Sequence, residues 1–496
     1  MSNPLRKLAG QTAVYGLSTI LVRMLNYLLA PLHTRVFLDQ GDYGIISELY
    51  AYVTFLNVLF MYGMETAFFR YAKKENSLAE NKTVFSTAQA SLLFSTILFI
   101  LPLLFFSGKI ADALSYSGHG EYIIYFAFII AFDTLVNIPF AKLRLQNKPW
   151  KYFNIKLLNI GINVLFNFFF LLPALLDNYR LFSFTGFVYN PEHGVAYVFI
   201  ANLIASAVTF LIFAKDYFKI HFDKTIWEKM MRYGTPLIII GLAGMTNETL
   251  DRILLKYWLP GTTEENLKQV GIYSAVYKIS IFMTLAVQAF RMGAEPFFFS
   301  HASEKNARRT YADVMKYFVI ICCIIFLGVG MFPDIFKIII GENYHAGLNI
   351  VPVLLMANLL LGIYYNQSVW YKLTDKTFYA TRIVLVGAAI TILVNYLLIP
   401  RFSYTGSAWG HLITYFSMVV MSYFIGQKYY SVPYNLRKIG LYLLVSIILC
   451  WLGLQFMNWF DFSIIMSYIM RFLLIILFFI LAYWLDVGVI LKRIKK

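Results

Sequence analysis

Apolar runs about 20 residues long constrain the fold of this chain more than any other feature of its sequence. A helix of that length crosses the hydrocarbon core of a bilayer, about 30 Å thick, and pairs its own backbone groups as it does so. About fourteen runs are present, at residues 11–32, 43–65, 84–106, 121–141, 152–174, 194–214, 231–258, 270–292, 314–333, 346–370, 379–399, 406–427, 437–457 and 463–486. They cover most of the 496 residues, of which only 14% are charged. The sequence therefore predicts an all-α integral membrane protein with about fourteen transmembrane helices.

The formal net charge of +16 predicts an orientation. If the N-terminus lies in the cytoplasm, the cytoplasmic segments hold roughly 31 Lys and Arg residues and the opposite loops about 7. The positive excess then faces anionic lipid, and we expect no nucleic-acid partner. An even number of spans also returns the C-terminal "LKRIKK" to the cytoplasm.

Four segments recur in the same order, about 227 to 230 residues apart. The pairs are "LVRMLNYLLAP" (21–31) with "LDRILLKYWLP" (250–260), "GIISELY" (44–50) with "GIYSAVY" (271–277), "GMETAFF" (63–69) with "GAEPFFF" (293–299), and "LQNK" (145–148) with "LTDK" (373–376). Six spans separate equivalent positions, so both halves enter the membrane in the same direction. The repeat predicts two six-helix lobes, related by a pseudo-two-fold axis along the membrane normal around a central cavity, as in transporters.

The repeat and the charge pattern divide the chain into four parts. An N-lobe (1–214) carries spans one to six, and a cytoplasmic amphipathic linker (215–230) follows it. A C-lobe (231–430) carries spans seven to twelve. The last part (431–496) holds spans thirteen and fourteen and a basic cytoplasmic tail, and it has no counterpart in the first half.

Basic residues inside the apolar runs are the candidate substrate ligands. An arginine at the centre of a membrane helix costs roughly 2.5–3.5 kcal/mol, so such a residue usually faces a cavity or a partner. Arg23 and Arg252 lie at equivalent positions of the repeat, and guanidinium groups suit phosphate oxygens. We predict that Arg23, Arg252 and Lys278 bind a diphosphate, with an internal salt bridge as the alternative for both arginines. Arg471, near Trp459, is expected to extend toward the membrane surface.

Carboxylates in the same runs have two interpretations. Glu48, Asp133, Glu248 and Asp251 are candidates for binding Na⁺ or H⁺ and so for coupling transport to an ion gradient. The alternative is that they neutralise the arginines, which we expect of Asp251 beside Arg252.

Two further groups have predicted mechanical roles. Glu65, Arg70, Arg291 and Glu295 are predicted to form an inner gate, with local capping of each glutamate by the nearby arginine as the alternative. The small residues and proline at the start of span seven are predicted to act as a hinge, and they also permit close helix contact; they are Gly234, Pro236, Gly241 and Gly244.

The sequence contains no nucleophile motif and no glycine-rich phosphate loop before a helix. We therefore expect that the protein is not an enzyme, that it binds no cofactor or metal, and that Na⁺ or H⁺ gradients or the membrane potential drive transport.

In its motifs the chain resembles the multidrug/oligosaccharidyl-lipid/polysaccharide (MOP) flippase superfamily, in particular the Wzx-like polysaccharide transporter branch. The resemblance rests on "LRKLAGQTAVYGLSTILVRMLNYLLAPLHTRVF", "DYGIISELY", "YGMETAFFRY", "YGTPLIII", "LDRILLKYWLP" and "VGIYSAVYKIS". It implies twelve core helices followed by two additional helices. It also implies that Arg23 and Arg252 are cations of the central cavity. One departure is Val22, which stands where the second lobe has the acidic Asp251.

The resemblance also implies a substrate and a location. The substrate would be an undecaprenyl-diphosphate-linked oligosaccharide, flipped from the inner to the outer leaflet of the bacterial cytoplasmic (inner) membrane, with both termini cytoplasmic. Spans thirteen and fourteen would cradle the polyprenyl tail, and glycan-assembly enzymes are candidate partners besides membrane lipid.

Alternatives within the superfamily are a lipid II flippase and a drug/cation antiporter, and paired cavity arginines argue against the antiporter. A major-facilitator carrier needs a basic Asp-Arg signature that "RYAKKENSLAENKT" (70–83) lacks, and a polysaccharide polymerase or ligase needs a larger outer loop.

Overall fold

The computed structural model describes residues 20–21, 24–25, 27–72, 78–218, 220–459 and 463–487. Regular secondary structure in these ranges is helical, which confirms the all-α prediction. Eleven helices among the described residues are long and apolar enough to cross a membrane. The chain divides into two compact units, Met1–Ser274 and Ala275–Lys496. The count of fourteen helices and the lobe boundaries stay predictions, because most of the predicted first span lies outside the described residues.

The first unit contains ten helices among the described residues, the last of which continues into the second unit. They are α1 (Leu29–Val36), α2 (Gln40–Met61), α3 (Met64–Ala72), α4 (Leu78–Phe105), α5 (Ser107–Ala113), α6 (Gly120–Leu145), α7 (Pro149–Leu175), α8 (Gly194–Phe213), α9 (Lys224–Trp258) and α10 (Thr263–Tyr277). Helix α8 packs against α6 and α7, while α2 packs against α9.

A tight turn at Tyr62 and Gly63 divides the predicted second span into α2 and α3. Gly63 has a φ of +74°, which glycine adopts without steric cost. A Cβ atom on Gly63 would lie 2.6 Å from the carbonyl oxygen of Gly234 in α9. The backbone of this turn is therefore in direct contact with that of α9.

The predicted linker (215–230) is partly helical. Its first residues belong to a 3₁₀ turn, Ala214–Tyr217, and its last ones open α9, whose N-cap Asp223 accepts a hydrogen bond from the Ile226 amide at 2.9 Å. The amide of Asp223 donates to Thr87 of α4 at 3.1 Å. The linker is thus fixed to α4, and α9 begins seven residues before the predicted span.

The second unit contains eight further helices among the described residues. They are α11 (Ile281–Ser300), α12 (Ala307–Gly330), α13 (Pro333–Phe336), α14 (Val351–Gln367), α15 (Val369–Leu373), α16 (Thr377–Tyr429), α17 (Leu436–Trp459) and α18 (Ile464–Ala482). The predicted spans eleven and twelve form α16, a 53-residue run interrupted only at Ser403, where φ is 54° and ψ is −140°.

Asp486, at the end of the last predicted span, forms hydrogen bonds to two other helices of the second unit. Its Oδ1 atom accepts from the ammonium groups of Lys316 at 2.9 Å and Lys438 at 2.8 Å, and its Oδ2 atom accepts from the Tyr442 hydroxyl at 2.6 Å. Its side chain is 7% exposed. Charge-assisted hydrogen bonds at a buried carboxylate are the stronger kind, so Asp486 holds α12, α17 and the segment after α18 together.

The Asp486→Asn variant is expected to unfold at a lower temperature, with a loss of about 1.5–3 kcal/mol, because it leaves two ammonium groups without their shared carboxylate. The matched control is Asp313→Asn, which removes an exposed carboxylate 3.2 Å from the same lysine, Lys316, and should change little. Thermal unfolding of the full chain in detergent measures both. Equal midpoints for the two variants would contradict this role of Asp486.

The expectation for Arg471 did not include its ion-pair partner. Its side chain is 1% exposed and its Nη1 atom donates to Asp334. Its Nε atom donates to the carbonyl of Gly453 at 3.2 Å. The guanidinium is therefore enclosed within the unit, where the Asp334 carboxylate of α13 compensates its charge.

Candidate functional site

A buried ion pair joins α2 to α9 in the first unit. The Lys256 ammonium lies 2.9 Å from Glu48 Oε2, and the two side chains are 1% and 0% exposed. The ammonium also donates to the Leu114 carbonyl at 2.5 Å, and the Tyr116 hydroxyl donates to the same Glu48 oxygen. The Tyr116 ring centroid lies 4.1 Å from the ammonium. These four residues, Glu48, Leu114, Tyr116 and Lys256, are called the outer cluster below, since all lie toward the predicted outer side.

Tyr116 lies between α5 and α6, outside the spanning helices. Burial and then the Glu48 carboxylate raise the pKa of its hydroxyl. The hydroxyl therefore keeps its proton and remains a donor to Glu48.

Sequence reasoning missed Lys256 and gave Glu48 a different partner. Glu48 was predicted to couple ions or to neutralise an arginine, whereas the structure pairs it with a lysine. Lys256 lies four residues after Arg252, on the same face of α9. This four-residue spacing could have predicted an ion pair for Lys256, because a second cation on the same face of a membrane helix needs a nearby carboxylate.

Arg252 lies one turn deeper on α9. Its Nη1 atom donates to Asp251 Oδ1 at 3.3 Å and to the carbonyl of Glu248 at 3.2 Å. Its guanidinium carbon lies 5.7 Å from the Tyr273 ring centroid. The Asp251 side chain is 1% exposed and that of Arg252 is 14% exposed, while Glu248 is exposed. The expected Asp251 contact is present, and part of the guanidinium stays accessible.

The three predicted diphosphate ligands lie in different parts of the chain. Arg23 lies outside the described residues. Lys278 belongs to the second unit, where it is half-buried and begins the 3₁₀ turn Lys278–Ser280 between α10 and α11. The joint role of Arg23, Arg252 and Lys278 stays a prediction.

Asp133 presents an accessible carboxylate within the apolar helix α6. Its Oδ1 atom accepts from the Ser206 hydroxyl of α8 at 2.8 Å, and the residue is exposed. The Lys156 ammonium of α7, 4.3 Å from the Phe140 ring centroid of α6, also interacts electrostatically with Asp133, so this carboxylate has a neighbouring cation that can balance its charge. An accessible carboxylate beside a hydroxyl is the oxygen chemistry that a small cation prefers.

The predicted inner-gate residues have local partners. Glu65 accepts from the guanidinium of Arg144 and, at 3.0 Å, from the Asn137 amide. Arg70 lies 4.2 Å from the Tyr233 ring centroid, and Arg291 lies 4.6 Å from that of Tyr365. The alternative to the gate was capping of Glu65 by Arg70, and the structure pairs Glu65 with Arg144 instead. The Glu295 side chain lies outside the described residues. The gate itself stays a prediction.

The four predicted hinge residues lie inside α9, which runs unbroken past Pro236. A Cβ atom on Gly234 would lie 2.9 Å from the Tyr62 carbonyl, and one on Gly241 would lie 2.7 Å from a Val58 methyl. Both glycines therefore serve the close contact of α9 with the α2–α3 segment, the alternative use of small residues. Gly244 has no atom within 4 Å of such a Cβ, and hinge motion stays a prediction.

Two equivalent glycines of the repeat meet where α2 crosses α10. A Cβ on Gly44 would lie 2.1 Å from the Leu267 carbonyl oxygen, and one on Gly271 would lie 1.9 Å from the Gln40 carbonyl oxygen. Together with the outer cluster, this crossing closes the predicted outer end of α2 against α9 and α10.

Comparison with known proteins defines the class of this chain. Residues 8–300 match the family described as "Polysaccharide biosynthesis protein". An uncharacterized membrane protein of Methanocaldococcus jannaschii is 24% identical over 478 residues, covering 87% of this chain and 86% of that protein. Among solved structures, the lipid II flippase MurJ in an inward closed conformation superposes with a TM-score of 0.71 at 15% identity, covering 95% of this chain and 99% of that one. An inward-facing multidrug resistance MATE family transporter of the MOP superfamily has a TM-score of 0.59 at 13% identity, covering 83% and 94%.

The fold is thus the one shared by MurJ and by this MATE transporter of the MOP superfamily, as the resemblance in the sequence implied. Within this class, the chain belongs to the polysaccharide biosynthesis protein family.

Proposed function

We propose that this protein is a flippase for an undecaprenyl-diphosphate-linked oligosaccharide, a repeat unit of O-antigen, capsule or exopolysaccharide. It moves this lipid from the inner to the outer leaflet of the bacterial cytoplasmic membrane by alternating access, with both termini in the cytoplasm. Family membership and the MOP transporter fold support transport of a lipid-linked glycan.

The polar face of α9 carries the proposal. Glu248 is exposed and Arg252 is partly exposed, one helical turn apart on a helix of an apolar bundle. Charged groups are too costly to face lipid at this depth, so this face borders water or a polar substrate. A guanidinium there can form bidentate hydrogen bonds to a diphosphate, which an ammonium cannot. Arg23 and Lys278 would complete the cation set.

Asp133 and Ser206 are the proposed site of ion coupling. Their oxygen atoms, 2.8 Å apart, would bind Na⁺, or Asp133 alone would carry H⁺. In this function the protein has no catalytic residue, and its partners are the lipid-linked glycan, membrane lipid and the enzymes that assemble the glycan.

Arg252→Ala is the direct test, in a bacterial strain whose own oligosaccharide flippase has been deleted. Loss of a charged hydrogen-bonding group costs about 1.5–3 kcal/mol, so we expect surface glycan to fall roughly 10- to 100-fold while membrane insertion stays intact. Lipid-linked glycan should accumulate on the inner leaflet. The matched control is Arg252→Lys, which keeps the charge but loses the guanidinium fork and should lie in between.

Two outcomes would contradict parts of the proposal. Normal surface glycan in the Arg23→Ala/Arg252→Ala double variant would show that these arginines do not bind the diphosphate. Rescue by the native protein of a strain lacking its lipid II flippase, without rescue of the oligosaccharide flippase strain, would assign lipid II as the substrate instead.

A further inference from the structure

An open apolar groove of about 930 Å³ lies between α2, α4 and the start of α9. Its lining includes Phe60, Phe94, Phe99, Phe222, Trp227 and Ile238. The volume is at the upper end of the range for small-molecule sites, roughly 300–1,000 Å³. None of the groups discussed above for transport lines this groove.

The polar side-chain atoms that line the groove already have hydrogen-bond partners, including the Thr235 hydroxyl, which donates to the Met231 carbonyl at 2.8 Å. The Tyr62 hydroxyl and the Ser91 hydroxyl lie 2.7 Å apart, and the Ser95 hydroxyl donates to that of Tyr62 at 3.1 Å. The indole N–H of Trp227 donates to Ser91 at 2.8 Å. The groove therefore offers an occupant an apolar surface, which suits hydrocarbon and not a polar molecule.

The length and position of the groove fit the lipid of one leaflet. On α4 its lining runs from Ala90 to Leu103, about 20 Å at 1.5 Å per residue. On α9 it runs from Trp227 to Ile238, starting next to the basic linker. Half of the hydrocarbon core is about 15 Å thick, so the groove spans one leaflet and its interface.

Two exposed lysines stand at the linker end of the groove. Lys224 precedes Trp227 by three residues and Met231 by seven, which places it on the groove-lining face of α9. Lys82 lies one turn before Ser86, which accepts a hydrogen bond from the His221 amide in the linker. The Lys224 ammonium lies 3.8 Å from the Glu228 carboxylate, but both side chains are exposed and such a pair is weak. An anionic headgroup at this end would therefore still meet positive charge.

We propose that this groove binds the hydrocarbon chains of an anionic membrane phospholipid, with its phosphate at Lys82 and Lys224. The bound lipid holds the linker and the start of α9 against α4. This site is independent of the transported substrate, and Trp227 marks its interfacial end.

Native mass spectrometry of the full chain, purified in detergent and supplied with phosphatidylglycerol or phosphatidylethanolamine, tests the proposal. The native protein should retain one lipid and prefer phosphatidylglycerol. Ala90→Phe fills the groove and should reduce lipid retention at least several-fold. Ile97→Phe, a substitution of similar bulk at a side chain that is 50% exposed on α4 outside the groove lining, should leave retention unchanged.

The Lys82→Ala/Lys224→Ala variant should lose the preference for phosphatidylglycerol by roughly tenfold while still retaining lipid. Lys151→Ala, at an exposed lysine on α7, is its control. Thr235→Phe fills the groove from α9 and replaces Ala90→Phe if that variant does not fold. Equal retention in groove-filling and control variants would overturn the proposal, as would displacement of the phospholipid from the native protein by undecaprenyl phosphate.

Discussion

Replacing Lys256 with methionine is expected to destabilise the protein by roughly 3–5 kcal/mol, because it leaves the Glu48 carboxylate buried without its cation. The pair is almost completely enclosed, with side chains 1% and 0% exposed. Tyr116 would keep donating to Glu48, but a neutral donor does not compensate a charge. Thermal unfolding of the full chain in detergent measures the loss.

Two variants make this expectation specific to the buried pair. Glu48→Gln/Lys256→Met removes both charges at similar volume and should recover most of the stability, since a buried pair rarely exceeds a neutral replacement. Lys268→Met removes an ammonium that lies 3.3 Å from Asp39 and 3.2 Å from Glu264 but is 35% exposed, and it should change the midpoint little. Equal midpoints for Lys256→Met and Lys268→Met would show that Lys256 and Glu48 do not need each other.

The helices of this protein were predictable because the length and the apolar composition of each run can be read directly from the sequence. The observed helix boundaries differ from the predicted ones where contacts with other helices determine them. Helix α9 begins at Lys224 because Asp223 caps it and binds α4, and the second span breaks at Gly63 because it touches Gly234.

The partners of the charged residues were predictable only when they were close in sequence. The Asp251–Arg252 contact was expected because the two residues are adjacent. The Arg471–Asp334 pair joins residues 137 apart, and the Glu48–Lys256 pair joins residues 208 apart. A single sequence shows which charges are expensive in a membrane, but the fold decides which of them meet.

The repeat identified Gly44 and Gly271 as equivalent residues, yet it did not predict that they touch. Because the two glycines touch, we expect Gly271→Ala to have a large effect on the contact between α2 and α10. The new Cβ would lie 1.9 Å from the Gln40 carbonyl oxygen, and since that atom is backbone, α2 and α10 must separate. Overpacking of this kind costs about 1–3 kcal/mol or more, and here it acts against closure of the predicted outer end.

Labelling of a cysteine at Thr249 with a membrane-impermeant maleimide measures that closure in intact cells. The Thr249 hydroxyl lies 3.0 Å from that of Thr54, between α9 and α2 and deeper along α9 than the outer cluster. The native cysteines Cys322, Cys323 and Cys450 are buried, so background labelling is low. If Gly271→Ala destabilises the closed contact relative to the open one by 1.4 kcal/mol or more, the labelling rate should rise about tenfold or more.

Gly161→Ala is the matched control, because it makes the same chemical change inside a helix, α7, at a position where a Cβ meets no atom within 4 Å. It should label like the parent protein. If Gly271→Ala also labels like the parent, the crossing of α2 and α10 does not close the outer side. If instead labelling rises while surface glycan falls, the glycine contact is part of the transport cycle, because a flippase must close this side in order to load substrate from the inner leaflet.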